Sequence, residues 1–159
     1  GLPVLRAGSL LREVYTGISG VTLADLTNNP AFPSKPSSTN LITDRFEAPT
    51  DVAEDYGQRL SAIFTAPISG QYTFWIAGDD YCGLFLRTDA TREKRRQIAS
   101  VPGWTSPREW GRFAEQQSAP IALVATSKLV AIRPVTIGVH SNERPRPSST
   151  ISRAMHQAR

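Results

Sequence analysis

Residues 58–86 read Gln58-Arg59-Leu60-Ser61-Ala62-Ile63-Phe64-Thr65-Ala66-Pro67-Ile68-Ser69-Gly70-Gln71-Tyr72-Thr73-Phe74-Trp75-Ile76-Ala77-Gly78-Asp79-Asp80-Tyr81-Cys82-Gly83-Leu84-Phe85-Leu86. Three runs in this stretch alternate with a period of two, the period of a strand whose successive side chains point to opposite faces. Arg59 to Thr65 puts Leu60, Ala62 and Phe64 on one face. Ala66-Pro67-Ile68-Ser69-Gly70 is a turn. Gln71 to Ala77 puts Tyr72, Phe74 and Ile76 on one face and Thr73, Trp75 and Ala77 on the other. Gly78-Asp79-Asp80 interrupts, and Cys82 to Arg87 resumes with Cys82, Leu84 and Leu86 together. The pattern predicts a meander of antiparallel strands.

Working outward, Leu10 to Tyr15 predicts an opening strand and Val21 to Asn28 a short helical turn, with Leu23 and Leu26 three apart. Asn28, Asn29, Pro30, Pro33, Pro36, Ser37 and Ser38 make a long irregular connection. Gln97 to Val101 and Ile121 to Val124 are further strands. No segment holds helical periodicity over a dozen residues, so the fold class is all-β, an antiparallel sandwich or barrel. A chain of 159 residues suits one domain and buries a core without metal or disulfide staples. With 40% hydrophobic and 20% charged residues, wholesale disorder is excluded. No apolar run approaches the roughly 20 residues of a membrane span. Cys82 is the sole cysteine, which rules out an intrachain disulfide and suits a small buried hydrophobe. A signal peptide, if one exists, lies outside this sequence.

The net charge of +4 is unevenly placed. Residues 1–125 carry 12 Lys+Arg and 13 Asp+Glu, whereas residues 126–159 carry 6 and 1. All 13 aromatic residues lie at or before Phe113. The first part is therefore nearly neutral and holds the core-forming material, and the basic character belongs to the C-terminal part.

Residues 58–86 resemble the PA14 domain, named after a fragment of anthrax protective antigen. The resemblance rests on the Phe64-Thr65-Ala66-Pro67-Ile68-Ser69-Gly70 turn, the Tyr72-Thr73-Phe74 strand, the Asp79-Asp80 pair and Leu84-Phe85-Leu86. It extends back to Arg12-Glu13-Val14-Tyr15-Thr16-Gly17-Ile18 and Phe46-Glu47-Ala48-Pro49. It extends forward through Val101-Pro102-Gly103-Trp104-Thr105, Arg108-Glu109-Trp110 and Glu115-Gln116-Gln117-Ser118-Ala119-Pro120-Ile121-Ala122-Leu123-Val124-Ala125. The resemblance divides the chain into a leader or linker (1–9), a PA14-like β domain (10–125) and an unmatched basic tail (126–159). It implies extracellular or cell-surface use, no catalytic activity, an oligo- or polysaccharide partner, and neighbouring domains of a larger protein. A spacer or protein-interaction domain without its own ligand is the alternative.

Asp79 and Asp80 match a pair that holds calcium in a yeast adhesin branch of the family, where the ion binds sugar hydroxyls. Neighbouring carboxylates reach one ion only if the backbone leaves strand geometry between them, as a cis peptide would allow. Gly78 makes such a departure plausible. Calcium takes roughly six to eight oxygens, so other loops must contribute. Nothing in this chain matches the adhesin's later ligand loop. The competing reading has the two carboxylates capping a turn between strands. Trp104 and Trp110 flank Thr105-Ser106-Pro107-Arg108-Glu109 and are candidates for stacking on sugar rings, or for covering the open end of the sandwich.

The basic run Arg87-Thr88-Asp89-Ala90-Thr91-Arg92-Glu93-Lys94-Arg95-Arg96 has interleaved acids and no aromatic residue, and reads as a solvated hairpin loop with no nucleic-acid partner. Both histidines, His140 and His156, lie in the tail. No nucleophile-elbow, phosphate-loop or zinc spacing occurs, and Glu109 and Glu115 read as surface residues, so no enzyme is expected. After Ala125 the family pattern of a Gly turn, a Tyr-rich strand and a last strand ending near Trp does not continue. A change of reading frame near codon 126 is one expectation, and a domain lacking its usual last strands follows from it. Leu129 to Ile132 and Val135 to Val139 still alternate, and Pro134 between them suits an edge or a bend. Residues 141–159 are expected to be largely disordered.

Overall fold

Tyr72, Phe74 and Ile76, predicted to share a face, are all buried, as are Cys82, Leu84 and Leu86. In the computed structural model, residues 8–50, 52–87 and 95–125 are described in full, and 130–138 and 154–157 by their backbone. Among the described residues the strands are β1 (Leu10–Thr16), β2 (Ser38–Ile42), β3 (Tyr56–Phe64), β4 (Gly70–Phe74), β5 (Cys82–Arg87), β6 (Arg96–Val101), β7 (Ile121–Leu123), β8 (Val130–Gly138) and β9 (Ala154–Gln157). One five-residue helix, α1 (Leu23–Thr27), and a 3-10 turn at Ala114–Gln116 complete the elements. Asp25 closes the first turn of α1, its carboxylate accepting from the Thr22 N–H at 2.8 Å.

All pairings are antiparallel. One sheet has the order β2-β1-β3-β8-β5-β6 and the other β7-β4-β9. The expected meander is therefore corrected. β3, β4 and β5 follow one another in sequence, but β4 lies in a different sheet from the two that flank it. Alternation reports which face a residue occupies, not which strand lies beside it. The main core gathers Tyr72, Phe74 and Ile76 from the small-sheet side with Leu84, Leu86, Ala99 and Val101 from the large sheet. Phe64 meets Tyr72 and Phe74 edge-on at 5.6 and 5.7 Å between centroids. Each fully buried side chain of this size contributes about 1.5–3 kcal/mol. Thr73 and Ala77 are buried as well, so this segment is covered on both sides. Trp75 lies one residue past β4 and bridges to Gln117.

The C-terminal segment also departs from expectation. β8 sits between β3 and β5, with Gly57↔Ile137 on one side and Gly83↔Val135 on the other. β9 lies along β4, with Tyr72↔His156. The last strands expected to be lacking are thus present in backbone form, and Pro134 is central in the sheet rather than at its edge. Pairing with β3 runs to Arg59↔Val135 and restarts at Ala62↔Ile132, stepping over the Pro134 position, whereas β5 pairs Leu84↔Pro134. The proline thus spares its missing N–H on the side where the ladder pauses. The leader at 1–7, most of the basic hairpin (88–94), and positions 126–129, 139–153 and 158–159, including His140, lie outside the described residues. No helix of the described residues is long and apolar enough to cross a membrane.

Candidate functional site

The segment between β4 and β5 carries Gly78, Asp79 and Asp80, and a buried threonine from the β6–β7 connection fixes it. Thr105 is 1% exposed. Its N–H donates to the Gly78 carbonyl at 2.8 Å, and its Oγ1 accepts from the Gly78 N–H at 2.9 Å. Both polar groups of one glycine are thus held by one residue, which ties the two loops together. The Asp79–Asp80 peptide bond is cis. Asp79 is buried at 5% exposure and Asp80 is half-buried. The Asp80 carbonyl accepts from the Cys82 thiol at 3.2 Å, which leads the chain into β5.

Gln116 braces the same region from below. Its Nε2 donates to the carbonyls of Ile76 and Glu109 at 2.9 and 2.6 Å, and its Oε1 accepts from the Phe113 N–H at 2.8 Å. Ser118 holds Phe74 in the same manner, its N–H donating to the Phe74 carbonyl at 2.9 Å and its Oγ accepting from the Phe74 N–H at 3.0 Å. Thr105, Gln116 and Ser118 were not singled out in the sequence. Each is a polar residue in a loop-like stretch, and each has a partner 27 to 44 positions away, beyond any local pattern. Their burial is the signal, and it exists only in the fold.

Trp104 and Trp110 are both half-buried in the loop that Thr105 anchors. The Thr105–Gly78 pairing therefore sets the loop that carries the aspartate pair beside the loop that carries the two tryptophans. The Arg112 guanidinium sits 4.0 Å above the Trp104 ring and 5.6 Å from Phe113. Its nearest carboxylate, Glu109, is 3.9 Å away and already accepts from the Ser106 N–H at 2.9 Å. Arg108 has φ 62°, an uncommon conformation for a residue with a side chain, and reaches back to Glu47 at 2.9 Å. Glu115 is exposed on the 3-10 turn. Among the described residues no group of three or more His, Cys, Asp or Glu is placed to hold a metal. Asp79 and Asp80 carry hard oxygen donors of the kind calcium takes, and two carboxylates alone fall short of its roughly six to eight oxygens.

No family model matches the chain. N-acetyl-beta-glucosaminyl-glycoprotein 4-beta-N-acetylgalactosaminyltransferase 1 of Mus musculus is 26% identical over 125 residues, which is 76% of this chain and 12% of that protein. The chain thus spans about an eighth of the length of the curated relative it matches. Among solved structures, the PA14 sugar-binding domain from an RTX adhesin is similar at TM-score 0.58 and 11% identity, covering 95% of this chain and 91% of that one. The subtype-switched Epithelial Adhesin 9 A domain of Candida glabrata, solved with beta-lactose, is similar at TM-score 0.56 and 14% identity, covering 93% and 80%. A beta-glucosidase from Kluyveromyces marxianus, solved with glucose, is similar at TM-score 0.57 and 10% identity, covering 94% of this chain and 16% of that enzyme. The chain therefore has the PA14-type β fold, which occurs both as a separate adhesin domain and as a part of a glycosidase.

Proposed function

We propose that this chain is a non-catalytic carbohydrate-binding module of a larger extracellular or cell-surface protein, which takes an oligo- or polysaccharide at the adjoining loops that carry Asp79, Asp80, Trp104 and Trp110. The observation that carries this reading is the Thr105–Gly78 pairing, which fixes the segment bearing the carboxylate pair against a tryptophan-bearing loop. Adhesin domains of the same fold were solved with beta-lactose and Galb1-3GlcNAc, which supports a sugar as the ligand class. Asp79 and Asp80 would hold a calcium ion, whose open positions sugar hydroxyls can fill. The ion supplies a fixed positive charge, and the protein supplies the carboxylates and the rigid loop beneath them.

Titration calorimetry with calcium, followed by a glycan array in calcium and in chelator, tests the reading. Heat on calcium addition, lost in Asp79→Asn/Asp80→Asn, together with calcium-dependent retention of glycans, is expected. Absence of both would leave the fold as a spacer or protein-interaction domain between neighbours.

A further inference from the structure

Arg112 makes no hydrogen bond with any described residue, yet it is held in place. Its guanidinium lies 4.0 Å over the Trp104 ring, and its only carboxylate contact, Glu109 at 3.9 Å, is at the limit of an ion pair. Glu109 spends its oxygen on the Ser106 amide instead. Contact of a cation with an aromatic face orients the fork without consuming its donors. The other arginine of this loop, Arg108, is differently employed, with both Nε and Nη2 donating to Glu47 at 3.0 and 2.9 Å. One guanidinium is therefore structural, and the other is presented.

Charge decides what it is presented to. Residues 78–80 and 106–113 with Glu47 carry four carboxylates (Asp79, Asp80, Glu109, Glu47) and two guanidiniums (Arg108, Arg112). Their sum is −2, which repels an anion. One calcium ion on the Asp pair brings it to zero, which removes the repulsion, and Arg112, whose N–H donors make no hydrogen bond among the described residues, can then meet an anionic group. A planar fork with parallel N–H donors matches a carboxylate or sulfate better than a hydroxyl, because both charge and geometry are complementary.

We propose that Arg112, laid on Trp104, selects for acidic sugars, binding the carboxylate or sulfate of a glycan whose neighbouring hydroxyls meet the Asp79–Asp80 ion. This rests on the proposed glycan site and specifies its ligand class. It also assigns Trp104 a different part, because the ring face carrying Arg112 orients the cation rather than stacking on a sugar.

The test uses the 159-residue chain and matched glycan pairs: sialylated and desialylated N-acetyllactosamine, galacturonate oligomers and their methyl esters, sulfated and unsulfated galactose. In calcium, the acidic member of at least one pair is expected to bind about tenfold more tightly than its neutral partner, the effect of one charge-assisted contact. Arg112→Gln is expected to reduce the acidic member to the neutral level and leave the neutral one unchanged. Arg112→Lys, which keeps the charge without the fork, should retain part of the preference. Equal calcium-dependent binding of both members overturns the role of Arg112 while the glycan site stands. Binding of neither member, with or without calcium, overturns both. Should Arg112→Gln unfold in a thermal melt, the matched pairs on the unmodified chain still decide the matter.

Discussion

Replacing Gln116 by leucine keeps a similar volume in a site with 0% exposure and removes three hydrogen bonds at once. The Phe113 N–H and the carbonyls of Ile76 and Glu109 lose their side-chain partner. The backbone pairing of Ile76 N–H to Gln116 carbonyl, at 3.0 Å, survives. A net loss of about 1 kcal/mol per bond gives about 3 kcal/mol, which for a chain of this size lowers the melting temperature by about 6–12 °C. Gln116→Glu sharpens the test. It replaces the donating amide, or the accepting oxygen, with a carboxyl in which one oxygen must face the carbonyls of Ile76 and Glu109. Only the protonated acid can donate there, so its folded pKa rises above the ordinary value of about 4.3.

The sign follows from that elevation. A group whose folded pKa exceeds its unfolded one contributes stability that is present below the unfolded pKa and is lost as pH rises through the folded pKa. Gln116→Glu, whose protonated acid has one hydrogen where the amide has two, should therefore melt somewhat below the parent chain at about pH 4, by about one hydrogen bond, and fall progressively further toward pH 7. The deficit of Gln116→Leu should stay nearly constant across the same range. Calorimetric melts at several pH values read both. A drop of less than about 2 °C for Gln116→Leu, or a Gln116→Glu deficit that does not grow with pH, refutes the claim that this amide braces the loops.

Two further outcomes follow from packing and burial. Gly57→Ala places a methyl 2.8 and 2.9 Å from the two δ carbons of Leu26, itself 0% exposed, so a loss of about 1–3 kcal/mol is expected in a denaturant melt. Burial raises the Tyr15 phenol above its ordinary value of 10, against the opposing pull of Arg59, and the phenol donates to the Pro33 carbonyl at 3.0 Å. Its folded pKa being the higher, it contributes stability that is complete below pH 10 and fades as pH rises through the elevated value. Subtracting the alkaline absorbance titration of Tyr15→Phe from that of the parent should leave a tyrosine ionising above pH 10.

The strands that carry the core were legible because they bury one face. Leu60, Ala62, Tyr72, Phe74, Cys82, Leu84 and Leu86 fall where the period of two places them, and all are buried. β2 was not legible, since Ser38-Thr39-Asn40-Leu41-Ile42 is an edge strand held by its backbone to β1, and none of its side chains is fully buried. The Asp79–Asp80 pair and both tryptophans were visible as candidates. What joins them was not visible, because a threonine or a glutamine becomes a clamp only through a partner far away in the chain. Arg112 was hidden for a different reason: the ring beneath it is only eight residues earlier, but an irregular loop has no period that would tell which side chains meet.

The C-terminal segment bears on the site more than its composition suggests. The Asp79–Asp80 loop is entered from β4 and left through β5, and each of these strands has a neighbour from beyond residue 125. β4 pairs with β9 through Thr73↔Met155 and Phe74↔Ala154, and β5 pairs with β8 through Cys82↔Thr136 and Gly83↔Val135. These pairs lie at the ends of β4 and β5 nearest the loop. Removing β8 would also divide the large sheet into β2-β1-β3 and β5-β6 and expose two interior edges. Sequence resemblance therefore fades at a point where structural dependence does not. The carboxylates and rings come from residues 79–110, but the strands that set their height and separation are bordered by a stretch with no aromatic residue at all. Position in this fold is conveyed through backbone ladders, which place weak demands on side-chain identity, and a segment of quite different composition can supply them.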